Sequence, residues 1–434
     1  MKTILTSIAA GSLLAALAAA QPRYTVIDLG TLGGAYSFGF GINTAGAVAG
    51  AAATPAQTDG VSSTAFLWTT HKGIVNLGNL GPSAFPACPT CNSGAAGVGA
   101  LGQVAIGSEI ATLDPNGEDY CQYGTHRECL GALWTNGVIK ALPRLPGGNN
   151  ANPFWINNRG EVSGHAETGV SDPSCSAVTP SQVRRFLPVV WSPNGHIERV
   201  LSPLLSKGDN VAYAFTINDG GQTVGASGLC STAGLPPFAI NNTTAAHAVL
   251  WEGDGSVTDL GSLGGAANIA SSINNRGEVV GTAQSPKDGT IHAFLWTRRA
   301  GMLDYGAFPG AVATVPGCCH TINDRGDIVG FSIEPGNQYG GRALIWHGNQ
   351  PKDLNDFVRA PSPFVQLVGA FSINDAGDIV CQGVTKNGEL HACLATPNRD
   401  EGPDENAVPS ANGTDHPAAS GYILLRRRIG IRGW

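Results

Sequence analysis

The chain has 434 residues, of which only 13% are charged and 60 are glycine, and its formal net charge is −7 at pH 7. This balance gives no basic footprint for nucleic acid. High glycine and a shortage of helix formers exclude a helical bundle and point to an all-β, turn-rich fold.

Residues 1–20 read as a secretory signal peptide. Lys2 supplies the positive start, an apolar run follows, and Ala18, Ala19 and Ala20 form a small-residue cleavage site before Gln21. No later stretch is long and apolar enough to span a bilayer. The expected location is outside the cell.

One motif then recurs seven times: INTAG (42–46), a degenerate VGALG (98–102), INNRG (156–160), INDGG (217–221), INNRG (273–277), INDRG (322–326) and INDAG (373–377). A spacing of roughly 50–60 residues suits a propeller or another repeat array. An apolar segment ending in Trp shares the period, at Trp68, Trp134, Trp191, Trp251, Trp296 and Trp346. So does a DLG-like segment, at 27–30, 75–78, 140–143, 198–201, 258–261, 303–306 and 352–355. With the strands before and after each IN turn, every unit offers four short strands, the content of a propeller blade. The last repeat lacks a DLG strand, and the chain enters on one. Residues 24–30 are therefore predicted to pair beside 392–395 and join the ends. The predicted fold is an all-β, seven-bladed β-propeller over 21–397. Tyr36, Phe38, Phe40 and Ile42 share one face of the first inner strand, opposite Ser37, Gly39 and Gly41, by the period of two.

Ten cysteines follow the cleavage site, and an oxidising compartment favours disulfides. Cys381 and Cys393 flank a turn at Asn387 and Gly388 and fall nearly opposite each other. Cys175 and Cys230 lie in corresponding loops of neighbouring repeats and are a candidate pair. Cys88, Cys91, Cys121 and Cys129 are disulfide candidates too; the last two are spaced too widely for a zinc ribbon. Adjacent Cys318 and Cys319 are each expected to take a separate partner. Residues 398–434 read as a disordered polar tail with a basic end.

The phrases HAFLW (292–296), DLGTLGG (28–34), DLGSLGG (259–265) and the repeated INxxG turn together resemble the extracellular HAF-repeat family over residues 24–397. The second and third repeats depart most, with insertions at 82–95, 108–131 and 166–184. The resemblance implies an exported repeat protein and supplies no catalytic residues.

Recurrence makes His247, His292 and His391 structural, because a catalyst needs one constellation and not one per repeat. Glu161, Glu278, Asp327 and Asp378 would suit calcium, but Ala47 and Gln222 replace them elsewhere, so solvated turns are expected. Arg325, Gly326 and Asp327 spell an adhesion tripeptide that the repeat consensus itself generates. There is no GxSxG, HExxH or P-loop. Asp114, Glu118 and Asp119 offer an acid/base pair for an enzyme alternative, although such clusters are expected to be solvated loop surface. One residue breaks the repeat. The position before the IN isoleucine is small in Gly41, Thr216, Ser272, Thr321 and Ser372 but is Trp155 in the third copy. Its indole either stacks on a ligand, with Asn150 and Asn152 as polar partners, or fills a gap. The expected function is non-catalytic binding of a glycan or an extracellular protein by a monomer, without cofactor or metal. The alternatives are a polysaccharide hydrolase or lyase and a structural envelope protein.

Overall fold

The computed structural model describes residues 23–81, 85–177, 181–233, 246–317 and 319–398. The segments read as a signal peptide and as a polar tail, Cys318, and the Asn-X-Thr sequences that start at Asn242 and Asn412 lie outside them. The described chain is all-β apart from a few short helical turns, and no helix in it is long and apolar enough to cross a membrane.

The strands form six sheets, none closed on itself. Five have four strands, and the first of these holds Ser37–Ile42, Val48–Ala52, Thr64–Thr69 and Gly73–Gly78 in that order. A sixth has eight strands. In it Ile291–Thr297 makes one parallel pair, Ile291 with Ala313, with the next unit's inner strand Ala313–Pro316. Separate four-stranded units were expected here, and this pair merges two of them. The N-terminal strand Tyr24–Asp28 adds antiparallel to Leu390–Pro397, from Tyr24 opposite Pro397 to Asp28 opposite Cys393.

The core is a series of layers between consecutive sheets. Ala49, Ala65 and Leu77 of the first sheet meet Ala95, Val104 and Ile106 of the next. Ile42, Val48 and Phe66 also pack on Val380, Ala392 and Leu394 from the end of the chain. The indole N–H of Trp191 donates to Pro143 O at 3.0 Å, and that of Trp251 to Ser202 O at 2.7 Å. Trp346 does the same to Tyr305 O at 3.1 Å, so these three tryptophans bury a large ring and tie their strands to a preceding loop.

The inner strands are not straight. Register shifts fall between Gly39 and Gly41, Ala95 and Gly97, Pro153 and Trp155, Ala214 and Thr216, Ala270 and Ser272, and Ala370 and Ser372. Whereas Ala313–Pro316 pairs without a register shift, in six of the seven repeats a β-bulge one step before the turn bends the strand and re-aims its side chains. The simple alternation read for Tyr36, Phe38, Phe40 and Ile42 breaks at this point, and Phe40 is only half-buried. The facing strand answers with glycine. A Cβ on Gly50, Gly225 or Gly281 would lie 2.0, 1.9 or 2.0 Å from the carbonyl oxygen of Phe38, Tyr213 or Ile269. Only a bare Cα fits so close to the bulged backbone.

Four cysteine pairs lie at disulfide distance: Cys88–Cys91, Cys121–Cys129, Cys175–Cys230 and Cys381–Cys393. They suit an oxidising environment. The last is a directly opposed cross-strand pair. Cys319 is also disulfide-bonded; the expectation for Cys318 lies outside the described residues.

Gly281→Ala should destabilise the protein by roughly 2 kcal/mol or more through overpacking. Gly336→Ala, where an added Cβ meets nothing within 4 Å, should cost far less. Urea unfolding of the two variants checks this.

Candidate functional site

The asparagine of each IN turn is buried and does two things. Within its turn it accepts backbone N–H groups, as Asn274 Oδ1 does from Arg276 at 3.1 Å and Glu278 at 3.0 Å. Across repeats its amide donates to the carbonyl of its counterpart. Asn157 donates to Asn218 O, Asn218 to Asn274 O, Asn274 to Asn323 O and Asn323 to Asn374 O, at 2.9–3.0 Å. Asn374 donates to Asn43 O at 3.2 Å, and Asn43 to Gly99 O at 3.0 Å. Gly99 stands in the degenerate copy and has no amide to pass on.

The next turn residue forms an outer rim. Asn158 N donates to Asp219 Oδ1 at 2.9 Å, Asp219 N to Asn275 Oδ1 at 2.8 Å, Asn275 N to Asp324 Oδ1 at 2.7 Å, and Asp324 N to Asp375 Oδ1 at 2.8 Å. Three carboxylates, Asp219, Asp324 and Asp375, are thereby fixed around one opening.

The opening is a hollow to which turns of all seven repeats contribute. Trp155 lies in its wall and is only 4% exposed. The indole fills the space that small residues leave: a Cβ on Gly41 or Gly97 would come within 3.0 Å of it. His320 stacks on Trp155, with centroids 5.2 Å apart and planes 7° from parallel. The sixth repeat's inner strand ends at Pro316, and His320 reaches this place from the following loop with φ at 54°. A non-glycine residue in that region carries strain that its surroundings must hold. Its Nδ1 lies 3.0 Å from Ile373 O.

Asn150 and Asn152 do not line this hollow. They sit toward the other end of the strand from Trp155. Asn150 is buried, and its amide donates to Asp114 Oδ2 at 2.8 Å and Glu167 Oε2 at 3.0 Å. Asp114 and Glu118 are buried, not solvated loop surface, and Asp119 is half-buried. Glu118 Oε1 accepts the backbone N–H groups of Val183 and Arg184 at 2.6 and 2.7 Å. Glu167, 0% exposed, completes a trio that no motif announced.

The turn acids are likewise tied down. Glu161 takes the Asn157 amide at 2.7 Å and Arg159 Nε at 3.0 Å, and Asp327 takes the Asn323 amide at 2.9 Å and Arg325 Nε at 3.0 Å. The arginine and aspartate of the adhesion-like tripeptide therefore bind each other. The recurrent histidines pair with aspartates: His391 with Asp28 and His247 with Asp209, each at 2.9 Å. His292 lies 2.9 Å from both Asp304 and Asp288. Arg342 takes the histidine position in the sixth repeat and pairs with Asp353 at 2.9 Å. Burial alone would lower the His292 pKa, but Asp304 and Asp288 outweigh it and the value is raised.

No protein-family model matches the chain, and no curated relative matches it. Among solved structures it is similar to a puromycin hydrolase, at 12% identity and a TM-score of 0.49, covering 86% of this chain and 55% of that one. It is also similar to the β-propeller domain of the trilobed protease from Pyrococcus furiosus, at 8% identity and a TM-score of 0.47, covering 88% and 100%. A gluconolactonase from Xanthomonas campestris aligns at 11% identity and a TM-score of 0.39, covering 87% and 94%.

Asn274→Ala leaves buried backbone groups unpaired and should cost about 2–4 kcal/mol. The exposed Asn275→Ala, whose partners water can serve, should cost less than about 1 kcal/mol; chemical denaturation compares them. A raised folded-state pKa adds stability below the ordinary histidine range, and that stability is lost as pH rises through the raised value. The destabilisation by His292→Asn should therefore be larger at pH 6 than at pH 8.5 when unfolding is measured at both.

Proposed function

We propose that residues 21–397 form an exported, closed, seven-bladed β-propeller of the HAF-repeat type that binds a glycan without chemistry at the hollow between its inner turns. Dividing the eight-stranded sheet at the single Ile291–Ala313 pair gives seven four-stranded units. Closure is supported by the pairing of Tyr24–Asp28 with Leu390–Pro397 and by the amide of Asn374 on Asn43 O.

The observation that carries the functional reading is the break in repeat symmetry at the hollow. An opening made of repeated turns would present the same groups all round. Here one wall instead carries a stacked indole and imidazole, the latter held at a positive φ. Around it stand fixed amides and the carboxylates of Asp219, Asp324 and Asp375. Such a wall offers donors and acceptors to hydroxyl groups and an aromatic edge to a sugar ring. Trp155 supports the site from below, and His320 is the ring that meets the ligand. Three carboxylates at the mouth repel an acidic polymer, so the ligand class is a neutral or amino polysaccharide. The hydrolase alternative gains no support from Asp114 and Glu118, which are buried and hydrogen-bonded away from solvent.

Pull-down on immobilised polysaccharides, with the supernatant assayed for released sugars, tests the reading. Capture on neutral or amino polymers, none on polyuronates, and no release are expected. His320→Ala and Asp324→Asn should each weaken capture about ten-fold, the worth of one good hydrogen bond or ring contact. Sugar release, or capture unchanged in both variants, would contradict it.

A further inference from the structure

Away from the hollow, three acids from two neighbouring sheets meet in the interior. Asp114 and Glu118 belong to the loop between Val104–Leu113 and Arg127–Thr135, and Glu167 to the strand Val162–Ser171 of the next sheet. One oxygen from each lies within 4.8 Å of the others, and the residues are 5%, 0% and 0% exposed. Glu118 and Glu167 also face each other as hydrogen-bond partners, and the remaining partners are all neutral. Asp114 accepts from the backbone N–H of Asn116 and of Glu118 and from the Asn150 amide. Glu118 accepts from Val183 N, Arg184 N and the Asn116 amide. Glu167 accepts from Asn149 N, from Asn150 through both N–H and amide, and from the Gln182 amide. No lysine, arginine or histidine among the described residues pairs with any of them. Three buried carboxylates without a counter-charge are costly, and proteins retain such groups when a cation completes them.

A second observation points into the same place. The hydroxyl of Tyr120 is buried and has no hydrogen-bond partner. Tyr120 stands two residues after Glu118, and its ring lies 5.1 Å from that of His165, which precedes Glu167 by two residues on the same strand, so the phenol sits beside the trio. An orphaned oxygen beside three acids completes a set of hard ligands.

We propose that Asp114, Glu118 and Glu167, with Tyr120 beside them, bind one calcium ion that clips the insertion of the second repeat to the third repeat. The donors are all oxygen, which selects a hard cation over zinc or copper. Calcium accepts oxygens in flexible geometry, whereas magnesium demands a near-ideal octahedron and keeps several waters, so a buried set of side chains favours calcium. Asp114, Asn116 and Glu118 also carry oxygen ligands at alternate positions, as calcium loops do. The segments joined are those held by the Cys121–Cys129 and Cys175–Cys230 pairs, so the ion would act where the repeat pattern is most interrupted.

The test is equilibrium dialysis of the secreted full chain, stripped with a chelator, against radioactive calcium. One ion per chain is expected, with magnesium a poor competitor and with calcium protecting residues 112–126 and 172–185 from proteolysis. Asp114→Asn and Glu167→Gln should each weaken binding at least ten-fold. The double variant Glu118→Gln/Glu167→Gln relieves the repulsion, so it should fold without calcium and not respond to it. Asp324→Asn at the hollow should keep the ion, which separates this site from the glycan reading. Wild-type protein that takes up no stoichiometric calcium, or a folded double variant that binds as well as wild type, would overturn the proposal.

Discussion

An asparagine amide that reaches from one turn to the backbone carbonyl of the next is the bond on which the arrangement of the sheets depends. Each such asparagine closes its own turn through Oδ1 and its neighbour's through Nδ2, so local and long-range structure share one side chain. Both ends of the bond are buried. Losing it leaves a carbonyl without water, which costs more than the bond's modest net worth. The same bond links Asn374 to Asn43, residues 331 positions apart. The contact that sets the spacing of adjacent repeats thus also holds the first repeat against the last.

The other recurrent residues serve this geometry. A bulge precedes the turn in six of the seven repeats, and at Gly50, Gly225 and Gly281 a bare glycine on the facing strand makes room for it. The histidine or arginine on the Trp strand pairs with an aspartate toward the outer edge, and between His391 and Asp28 this pair bridges the chain ends. Function, on the proposed reading, begins where the pattern lapses. Gly99 breaks the amide relay, Gly41 and Gly97 leave a space, Trp155 fills it, and His320 lies on Trp155. A scaffold satisfied by its own repeats can carry such departures at a few positions and remain ordered.

Much of the fold was legible because period and turn chemistry are local. The IN turns, the Trp strands and the opposed pair Cys381 and Cys393 follow from spacing alone. The bulges were not legible, since a period of two assumes a straight strand and Phe40 does not keep it. Nor was the pair that joins Ile291 to Ala313. The site was read less well, for a physical reason. Asn150 and Asn152 looked close to Trp155 in sequence, but an extended strand rises about 3.3 Å per residue and carries Asn150 away from the hollow. The true neighbours, His320 for Trp155 and Glu167 for Asp114, come from other repeats. Only the recurrence of Asn or Asp at one turn position, in Asn158, Asp219, Asn275, Asp324 and Asp375, hinted at the rim.

Hydrogen exchange followed by mass spectrometry on the full chain tests the central role of the asparagine relay most directly. If the relay ties each asparagine turn to the next and the last to the first, peptides spanning 43–52 and 374–383 should share the slow exchange of the middle repeats. Asn374→Ala should then loosen both ends together and leave the middle turns less affected. Independent, fast exchange of the first repeat in the wild-type protein, or no coupling of 43–52 to Asn374→Ala, would contradict the account.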